Sequence, residues 1–351
     1  MGIFIVKAAE EQYPFLMACR RKPTKYTPVW LMRQAGRYMK EYRVLRRKYS
    51  FLEICKTPEL AAEVTLLPVE QFDVDAAILF SDILIPLEPM GIELEFRGNE
   101  GPVFHHPIRE MKQIKKLQRI EPEKDVPFLL NAIRMVRREL NGKIPLIGFS
   151  GAPFTLASYI IEGGHSKNYA LTKGMMYQNR EAWDLLMEKL TQVLIPYLNA
   201  QVKAGAQALQ VFDSWVGCLS PNDYEEYVLP HSKKIFDEVD RSVPVIHFGT
   251  VTSTLLERMK RAGGDVIGVD WRIDLGEAWA RLGYDVAIQG NLDPVILLGS
   301  PELIEREIKR ILKQARGRPG HIFNLGHGIL PNTPVDNVAR LVDAVHELSS
   351  K

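Results

Sequence analysis

The sequence is poor in cysteine and has no long hydrophobic run. Its 351 residues include only three cysteines, Cys19, Cys55 and Cys218, and no two of them form a Cys-x-x-Cys pair. Scattered cysteines of this kind disfavour disulfides and structural zinc, and they are typical of a reducing compartment. No segment approaches the roughly 18 consecutive apolar residues of a membrane helix, and the first apolar run is too short for a signal peptide. We therefore expect a soluble, cytoplasmic protein.

A large net charge of either sign is also missing. The chain carries 45 Lys and Arg against 43 Asp and Glu, which gives a formal charge of +2. A protein this close to neutrality has no overall field that would attract nucleic acid or an anionic membrane. We expect neither as a partner, and any anion-binding site must therefore be local.

The segment 28–40 is a local concentration of positive charge. It reads Pro-Val-Trp-Leu-Met-Arg-Gln-Ala-Gly-Arg-Tyr-Met-Lys and contains three cations and no acid. Arg33 and Arg37 lie among apolar residues, where an unpaired guanidinium is costly. Two neighbouring guanidinium groups can bind a polyanion, because each offers paired donors to a carboxylate or phosphate. The spacing leaves open a second interpretation, in which distant Asp or Glu side chains neutralise both.

Short buried strand patterns alternate with helical patterns along most of the chain. A weak strand pattern covers 29–32. The clearer strand patterns lie at 75–82, 145–149, 206–212, 243–248, 266–269, 286–289 and 321–325. Each is apolar on both faces and most are followed by a helix, for example one predicted from Ser220 to Val239, as in a (β/α)₈ barrel. An open doubly wound sheet is the alternative, but a dinucleotide site needs Gly-x-Gly-x-x-Gly after a strand, and 148–151 does not supply it.

We therefore expect an α/β fold with a single (β/α)₈ TIM-type barrel domain over residues 1–351. No linker is long or polar enough to divide the chain. An irregular lead-in precedes the first strand pattern, and a β-hairpin is predicted near 92–106 because two short strand patterns flank Arg97-Gly-Asn-Glu-Gly101.

Polar residues follow most of the predicted strands. Active sites of such barrels form at the carboxyl ends of the strands, so these residues are site candidates. They are Arg33, Gln34, Arg37, Asp82, Ser150, Asp213, Ser214, His247, Asp270, Gln289, Asn291 and His327. Each has a structural alternative, because Asp and Ser commonly cap turns and a histidine can be a hydrogen-bonded core residue. His327 is the strongest of the histidines, since Gly326 and Gly328 would allow a sharp turn and close approach of a large ligand.

Two stretches resemble the signature motifs of the uroporphyrinogen decarboxylase family. They are Pro-Val-Trp-Leu-Met-Arg-Gln-Ala-Gly-Arg-Tyr at 28–38 and Gly-Phe-Ser-Gly-Ala-Pro-Phe-Thr-Leu-Ala-Ser-Tyr-Ile-Ile-Glu-Gly at 148–163. Shorter stretches agree in the expected order at 78–83, 212–215, 289–294 and 324–328. The resemblance therefore spans nearly the whole chain.

This resemblance implies a (β/α)₈ carboxy-lyase of haem and tetrapyrrole biosynthesis that uses no cofactor and no metal, usually a cytoplasmic homodimer. The family removes the carboxyl groups of the four acetate side chains of uroporphyrinogen III, which leaves methyls and gives coproporphyrinogen III and carbon dioxide. Such a tetrapyrrole polycarboxylate would supply the anionic groups needed to pair with the cations of the segment 28–40.

The resemblance also implies roles for individual residues. Arg33 and Arg37 would bind substrate carboxylates, and Asp82 would lie at the pocket centre and accept hydrogen bonds from the pyrrole N–H groups. Residues that would line the pocket and hold carboxylates are Tyr159, Ser214 and His327, with Gln34 and the backbone near Phe80 as secondary candidates. The residues implied in catalysis are Asp82, Arg37, Arg33, Tyr159 and His327.

The chemistry requires an electron sink for the breaking C–C bond. A pyrrole protonated on a ring carbon can serve, and an ionised Asp82 would stabilise that cation electrostatically. The proton donor stays open between Arg33 or Arg37 with a bound water, a substrate carboxyl, Tyr159 and His327.

Two other functions are considered. Cobalamin-linked methyltransferases resemble this fold, but they need a His-x-Cys pair and a further cysteine, and the corresponding stretch here is His247-Phe-Gly249. A non-catalytic tetrapyrrole carrier is the second. Arg33, Arg37, Asp82 and Tyr159 together argue against a carrier, because binding alone needs no central carboxylate inside a polyanion site.

Overall fold

Nine strands occur among the residues that the computed structural model describes, which are 13–97 and 101–351. They are β1 (Ala77–Ile78), β2 (Leu94–Arg97), β3 (Gly101–Phe104), β4 (Leu146–Gly151), β5 (Ala208–Asp213), β6 (Val245–Gly249), β7 (Val266–Gly268), β8 (Ala287–Gln289) and β9 (His321–Ile322). β1 and β4 to β9 form one parallel sheet in chain order. The described part excludes residues 1–12, where the predicted lead-in begins, and residues 98–100 of the predicted hairpin.

The segment at Val29 closes this sheet into a ring. Val29 forms a parallel bridge with Phe323, just beyond β9, and the Phe323 N–H donates to the Pro28 carbonyl at 2.8 Å. On the other side, the Asp75 N–H donates to the Val29 carbonyl, also at 2.8 Å. The weak strand pattern at 29–32 thus occupies the eighth position, and the expected (β/α)₈ fold is confirmed.

Small and branched side chains fill the inside of the barrel. They come from alternating positions of neighbouring strands, because successive residues of a strand point to opposite faces. The buried cluster includes Trp30, Ala76, Ile147, Ala208, Ile246, Val266, Ala287 and Ile322. The barrel is therefore packed below its carboxyl end, and space for a ligand is left only at the strand ends.

Helices surround the sheet and bury their apolar faces on it. They are Pro14–Cys19, Lys40–Lys48, Phe51–Lys56, Pro58–Gln71, Met111–Lys116, Pro122–Asp125, Pro127–Leu140, Pro153–Glu162, Ala170–Gln178, Arg180–Ala204, Pro221–Tyr227, Leu229–Glu238, Leu256–Ala262, Leu275–Leu282, Pro301–Ala315 and Val335–Ser349. Short 3₁₀ turns lie at Ile85–Leu87, Val216–Cys218 and Pro294–Leu298. Within the described ranges, no helix combines the length and apolar character needed to cross a bilayer.

The helix predicted from Ser220 to Val239 is instead two helices, which meet at Val228. Pro230 has no N–H, so it cannot donate to the carbonyl of Glu226 as a continuous helix would require. The Glu226 carbonyl accepts a long hydrogen bond from Arg180 at 3.5 Å instead. The prediction of one helix was wrong because the apolar periodicity continues across the break.

The hairpin of β2 and β3 lies between β1 and the next helices of the chain. Its strands pair antiparallel, with Leu94 opposite Phe104. The Phe104 N–H donates to the Gly163 carbonyl at 3.2 Å, and the Ile108 N–H donates to the Ile160 carbonyl at 2.9 Å. The hairpin therefore packs on the last turn of the helix Pro153–Glu162, beside the carboxyl end of the barrel.

A buried carboxylate, Asp75, joins the two ends of the barrel wall to the last helix. Its Oδ2 accepts from the Val29 N–H at 2.7 Å and lies 2.8 Å from the His346 Nε2. Its Oδ1 accepts from the Tyr26 hydroxyl at 3.0 Å. Burial alone would lower the pKa of His346, but the hydrogen bond to Asp75 and the charges of the nearby aspartates together raise it.

We predict that His346→Gln destabilises the protein more at acidic than at alkaline pH. A histidine whose pKa is raised by folding contributes stability that is present below its unfolded pKa and is lost as pH rises through its folded pKa. Urea unfolding of the wild type and the variant at about pH 5.5 and about pH 8.5 measures the difference. His106→Gln, at an exposed histidine, is the control. An equal loss at both pH values would contradict the prediction.

Candidate active site

A cavity of about 390 Å³ opens at the carboxyl end of the barrel. Phe149, Phe212 and Phe248, from three adjacent strands, line its base, and Phe96 and Pro102 of the hairpin form part of one wall. Seven of the eight predicted site residues line it: Arg33, Arg37, Phe80, Asp82, Tyr159, Ser214 and His327. The fold thus brings together residues that are spread over nearly three hundred positions of the sequence.

Gln34 is the predicted site residue that does not line the cavity. Its side chain is fully buried, accepts from the Leu31 N–H at 3.1 Å and donates to the Ala76 carbonyl at 3.0 Å. Its backbone carbonyl accepts from the Tyr38 hydroxyl at 2.6 Å. Gln34 therefore braces the segment 31–38 against the barrel wall and has no amide group turned towards a ligand.

Three guanidinium groups border the cavity. Arg33 and Arg37 are exposed, and Arg46 of the helix Lys40–Lys48 lines the cavity beside Tyr42. None of the three forms an ion pair with a residue in the described part of the chain. The alternative in which distant acids neutralise Arg33 and Arg37 is thus not seen there, and the cavity is left with unpaired positive charge.

Arg46 was missed in the sequence because it lies outside the motif that carries Arg33 and Arg37. The signal that points to it is helical spacing, since residues four apart share one face and Tyr42 precedes Arg46 by four. Its Nη1 donates to the Tyr49 carbonyl at 2.6 Å, which fixes the end of the side chain beside the helix.

Asp82 lies in the cavity among these cations. Its Oδ1 accepts from the Leu84 N–H at 2.9 Å, while Oδ2 makes no hydrogen bond with a described residue. Burial raises the pKa of Asp82 to about 6, although the Leu84 hydrogen bond and the charge of Arg33 both lower it. At neutral pH the carboxylate is mostly ionised, with one oxygen capping the turn and the other free to accept.

Tyr159 and Ser214 are held by the wall behind them. The Tyr159 ring packs edge-on against the Trp215 ring, with 5.8 Å between the ring centroids. The backbone N–H of Trp215 donates to the Thr155 hydroxyl at 3.3 Å. The Ser214 carbonyl accepts from the Thr250 hydroxyl at 2.6 Å. Burial, followed by the charge of Asp82, raises the pKa of Tyr159 to about 12, so its phenol keeps its proton.

His327 enters the cavity as a neutral donor. Its Nδ1 accepts from the Gly328 N–H at 2.6 Å, so the ring proton belongs on Nε2. Burial, together with the charge of Arg33, lowers the pKa of His327 to about 4. The neutral ring can donate one hydrogen bond from Nε2 to an anion.

The glycines beside His327 leave room for neighbouring protein side chains. A Cβ added at Gly328 would overlap the side chain of Arg33, with Cγ only 2.7 Å away. One added at Gly326 would meet Trp271 Cε3 at 2.7 Å. Gly328 also lines the cavity, so close approach of a ligand at Gly328 stays a prediction, whereas Gly326 does not line it.

Besides Gln34, six strand-end candidates do not line the cavity, namely Ser150, Asp213, His247, Asp270, Gln289 and Asn291. The structural alternative fits Asp270, but it fits His247 only in part, because the ring is buried and neither ring nitrogen has a hydrogen-bond partner among the described residues. The His247 ring packs against Phe236 of an outer helix at 4.6 Å, and Asp270 accepts from the Val251 N–H at 2.7 Å to fix its loop. A position at a strand end does not specify which way the side chain points, because successive side chains alternate between faces. In the described ranges no three His, Cys, Asp or Glu side chains are arranged to hold a metal ion.

Comparison with known proteins points to one family. A family model described as uroporphyrinogen decarboxylase (URO-D) matches residues 10–348. A protein named uroporphyrinogen decarboxylase from Carboxydothermus hydrogenoformans is 61% identical over 337 residues, which cover 96% of each chain. The chain belongs to the uroporphyrinogen decarboxylase family. A second relative of the same name, from Sorangium cellulosum, is 58% identical over 95% of this chain and 96% of its own.

Solved structures with low identity share the fold of this uroporphyrinogen decarboxylase family member. A methyltransferase from Methanosarcina mazei superimposes with a TM-score of 0.80 at 21% identity, over 95% of this chain and 98% of the other. A putative vitamin-B12 independent methionine synthase from Listeria monocytogenes gives a TM-score of 0.60 at 11% identity, over 94% and 99% of the two chains. At such identities the likeness concerns the fold alone.

We predict that Gly328→Ala weakens the binding of a polycarboxylate such as benzenehexacarboxylate by roughly tenfold. The new methyl group displaces the Arg33 stem, and one charge-assisted hydrogen bond contributes about 1.5–3 kcal/mol. Isothermal titration of the wild type and the variant measures the change. Gly174→Ala is the matched control, because nothing lies within 4 Å of the added Cβ. Unchanged affinity in a folded Gly328→Ala protein would contradict the placement of Arg33.

Proposed function

We propose that this chain decarboxylates the four acetate side chains of uroporphyrinogen III and releases coproporphyrinogen III and carbon dioxide. The observation that carries the proposal is a carboxylate, Asp82, in one cavity with three guanidinium groups that form no ion pair with a described residue. A site that only bound polyanions would be weakened by a negative charge at its centre. A site that must also stabilise a cation formed on the ligand needs that charge.

The cavity offers donors for carboxylates and an acceptor for the macrocycle. Arg33, Arg37 and Arg46 offer forked N–H donors, and Ser214 and the Nε2 of His327 add neutral ones. Asp82 Oδ2 is the free acceptor to which the pyrrole N–H groups would donate. The carboxylate arms of the substrate would therefore bind the guanidinium groups, while the pyrrole N–H groups would bind Asp82.

The phenylalanines at the base make Asp82 effective. Phe149, Phe212 and Phe248 form an apolar surface against which the faces of the pyrrole rings can pack. A bound macrocycle would exclude water from this surface, and interactions between charges are stronger where water is excluded. The ionised Asp82 would then stabilise a positively charged pyrrole without having to reorganise.

The proposed reaction consumes one proton for each carbon dioxide released. A proton first adds to a ring carbon of the pyrrole that bears the acetate, which makes the ring cationic. The bond between the methylene carbon and the carboxylate then breaks, its electron pair neutralises the ring, and carbon dioxide leaves. The exocyclic methylene takes up a proton to become a methyl, and the ring returns its added proton and becomes aromatic again.

The pKa values narrow the choice of proton donor. An efficient general acid has a pKa near the working pH. Tyr159, with its pKa raised to about 12, and His327, with its pKa lowered to about 4, both lie far from neutrality. We assign both to hydrogen bonding, and we assign proton delivery to a carboxyl group of the substrate or to a water held by Arg33 or Arg37.

We also propose that the protein is a cytoplasmic homodimer and that residues 1–351 form a single barrel domain. The support for the dimer and for the compartment is the sequence resemblance. The support for one domain is the continuous parallel ring of strands within the described ranges.

Anaerobic incubation of the chelator-treated protein with uroporphyrinogen III tests the proposal. We expect the octacarboxylate to disappear and porphyrinogens with fewer carboxylates to appear in sequence, detected by chromatography after oxidation. The double variant Arg33→Gln/Arg37→Gln is expected to lose at least tenfold in kcat/KM, because two charge-assisted contacts are removed. A folded wild-type protein that yields no decarboxylated product would overturn the proposal.

A further inference from the structure

The near-neutral charge of the chain hides a strongly asymmetric distribution. Residues 33–48 contain seven Lys and Arg and a single acid, whereas the rest of the chain contains 38 Lys and Arg against 42 Asp and Glu. The positive charge of the protein is therefore concentrated in one short stretch. That stretch begins inside the cavity, at Arg33, and continues outside it along the helix Lys40–Lys48.

This helix has two polar faces with different surroundings. Tyr42 and Arg46, four residues apart, line the cavity. Lys40, Arg43 and Arg47 are spaced by three and four residues, so they share a separate face, and all three are exposed. We call Lys40, Arg43 and Arg47 the outer basic face. It lies immediately beside the cavity, because it shares its helix with two lining residues.

The outer basic face is held rigidly to the Arg37 segment. The Arg43 Nη1 donates to the Arg37 carbonyl at 2.9 Å and to the Tyr38 carbonyl at 2.7 Å. These bonds fix the start of the helix against the segment whose guanidinium groups border the cavity. The positive charges inside and outside the cavity therefore form one continuous surface.

Several charges on other helices of the protein are paired locally. Arg180 pairs with Asp184 at 2.7 Å, and Lys233 pairs with Asp237 at 2.9 Å, in both cases four residues apart. The cations of the outer basic face form no ion pair with any residue of the described ranges. No described acid therefore pairs with these three charges, which lie next to the unpaired cations of the cavity.

We propose that the outer basic face is a capture surface for the polycarboxylate substrate outside the cavity. The inference rests on the proposed function and extends it to the step before binding. Clustered charge beside a cleft raises the local concentration of an oppositely charged ligand and its association rate, and salt screens the effect. A ligand with eight carboxylates is attracted more strongly than a product with four, so the surface favours entry of substrate over re-entry of product.

Capture also matters between the successive reactions of one molecule. Each acetate arm must reach the same carboxylate, Asp82, so the macrocycle has to be repositioned after every loss of carbon dioxide. A macrocycle that leaves the base of the cavity while its carboxylates stay near the outer basic face can return before it diffuses away. The surface thus acts on association and on retention and not on the chemical step.

The test compares Lys40→Gln/Arg47→Gln with a matched control pair, Lys143→Gln/Lys313→Gln. Lys143 and Lys313 are also exposed, but Lys143 lies just before β4 and Lys313 lies in the last turn of the helix that leads to β9, so both are at the amino end of the barrel, opposite the cavity. Both double variants remove two positive charges. Arg43 is left unchanged because its side chain holds two backbone carbonyls.

Stopped-flow fluorescence with uroporphyrin III, the oxidised octacarboxylate, measures association without turnover. At about 20 mM salt we expect the association rate constant of Lys40→Gln/Arg47→Gln to be about three- to tenfold below that of the wild type, and the difference to vanish near 0.3 M. Coproporphyrin III, with four carboxylates, should show a smaller difference. The control pair should behave as the wild type, and kcat at saturating substrate should be unchanged in both.

Three results would overturn the capture surface: an unchanged association rate at low salt, an equal loss in the control pair, or a loss that persists at high salt. These outcomes are separate from a failure of the proposed function. Salt-dependent porphyrin capture by a wild-type protein that does not decarboxylate uroporphyrinogen would refute the enzyme and retain the surface. Turnover by the wild-type protein, together with an association rate that is unaltered in Lys40→Gln/Arg47→Gln, would retain the enzyme and refute the surface.

Discussion

The hydrogen bonds that hold Val29 between Phe323 and Asp75 determine the position of the residues that follow it in the chain. This short segment is needed to close the ring of strands, so its backbone has little freedom. Arg33 and Arg37 follow within eight residues, and their placement therefore depends on barrel closure. Asp75 strengthens the closure through Val29 and His346. Stability and anion binding are in this way linked in one stretch of chain.

Several buried contacts carry that constraint to the guanidinium groups. The Met32 N–H donates to Asn324 Oδ1 at 3.1 Å. The Gln34 side chain accepts from the Leu31 N–H and donates to the Ala76 carbonyl. Arg33 itself adopts a left-handed backbone conformation, with φ at 59°, and its side chain lies over Gly328. Such a conformation is costly for a residue with a side chain, and the surrounding contacts hold it in place.

The second constraint is the balance of charge around Asp82. A carboxylate beside unpaired cations is expected to have a low pKa, yet burial raises the pKa of Asp82 to about 6. The group therefore remains ionised at neutral pH while lying close to its titration point. The guanidinium groups for the substrate arms and the acceptor for the macrocycle share one cavity, where the charge of Arg33 lowers the pKa of Asp82 and favours its ionised form.

Much of this could be predicted from the sequence, for physical reasons that differ between residues. Eight buried strand patterns alternating with helices indicate a parallel sheet, because the strands of such a sheet are buried on both faces. The lack of Gly-x-Gly-x-x-Gly after a strand then favours the closed barrel over the open doubly wound sheet. Asp82 was identified because it follows a predicted strand, at the end where barrel active sites form. Arg33 and Arg37 were identified because an unpaired guanidinium group in an apolar segment is energetically costly. The sequence could not distinguish His247 and Asp270 from these site residues. Side chains alternate between the two faces of a strand, and a single residue at a strand end does not reveal which face it is on.

Other features required the fold. Arg46 joins the site only because the helix Lys40–Lys48 turns one face to the cavity. Gln34 matches the motif as well as its neighbours do, but its amide bonds to Leu31 and Ala76. Gly328 is needed for the Arg33 side chain, a contact between positions almost three hundred residues apart. Long-range contacts of this kind leave no periodic signal in the sequence.

The central claim is that the negative charge of Asp82 stabilises a cationic form of the substrate. The most direct measurement is the pH dependence of kcat/KM for Asp82→Asn beside the wild type, with Ser81→Ala as a neighbouring control in the same cavity wall. We predict a loss of about 10²–10³ in kcat for a folded Asp82→Asn protein, in line with the removal of one preorganised electrostatic contact. Wild-type kcat/KM should also fall as pH drops through about 6, where Asp82 becomes protonated, and the variant should lack this fall. An Asp82→Asn protein with wild-type kcat at neutral pH would contradict the account.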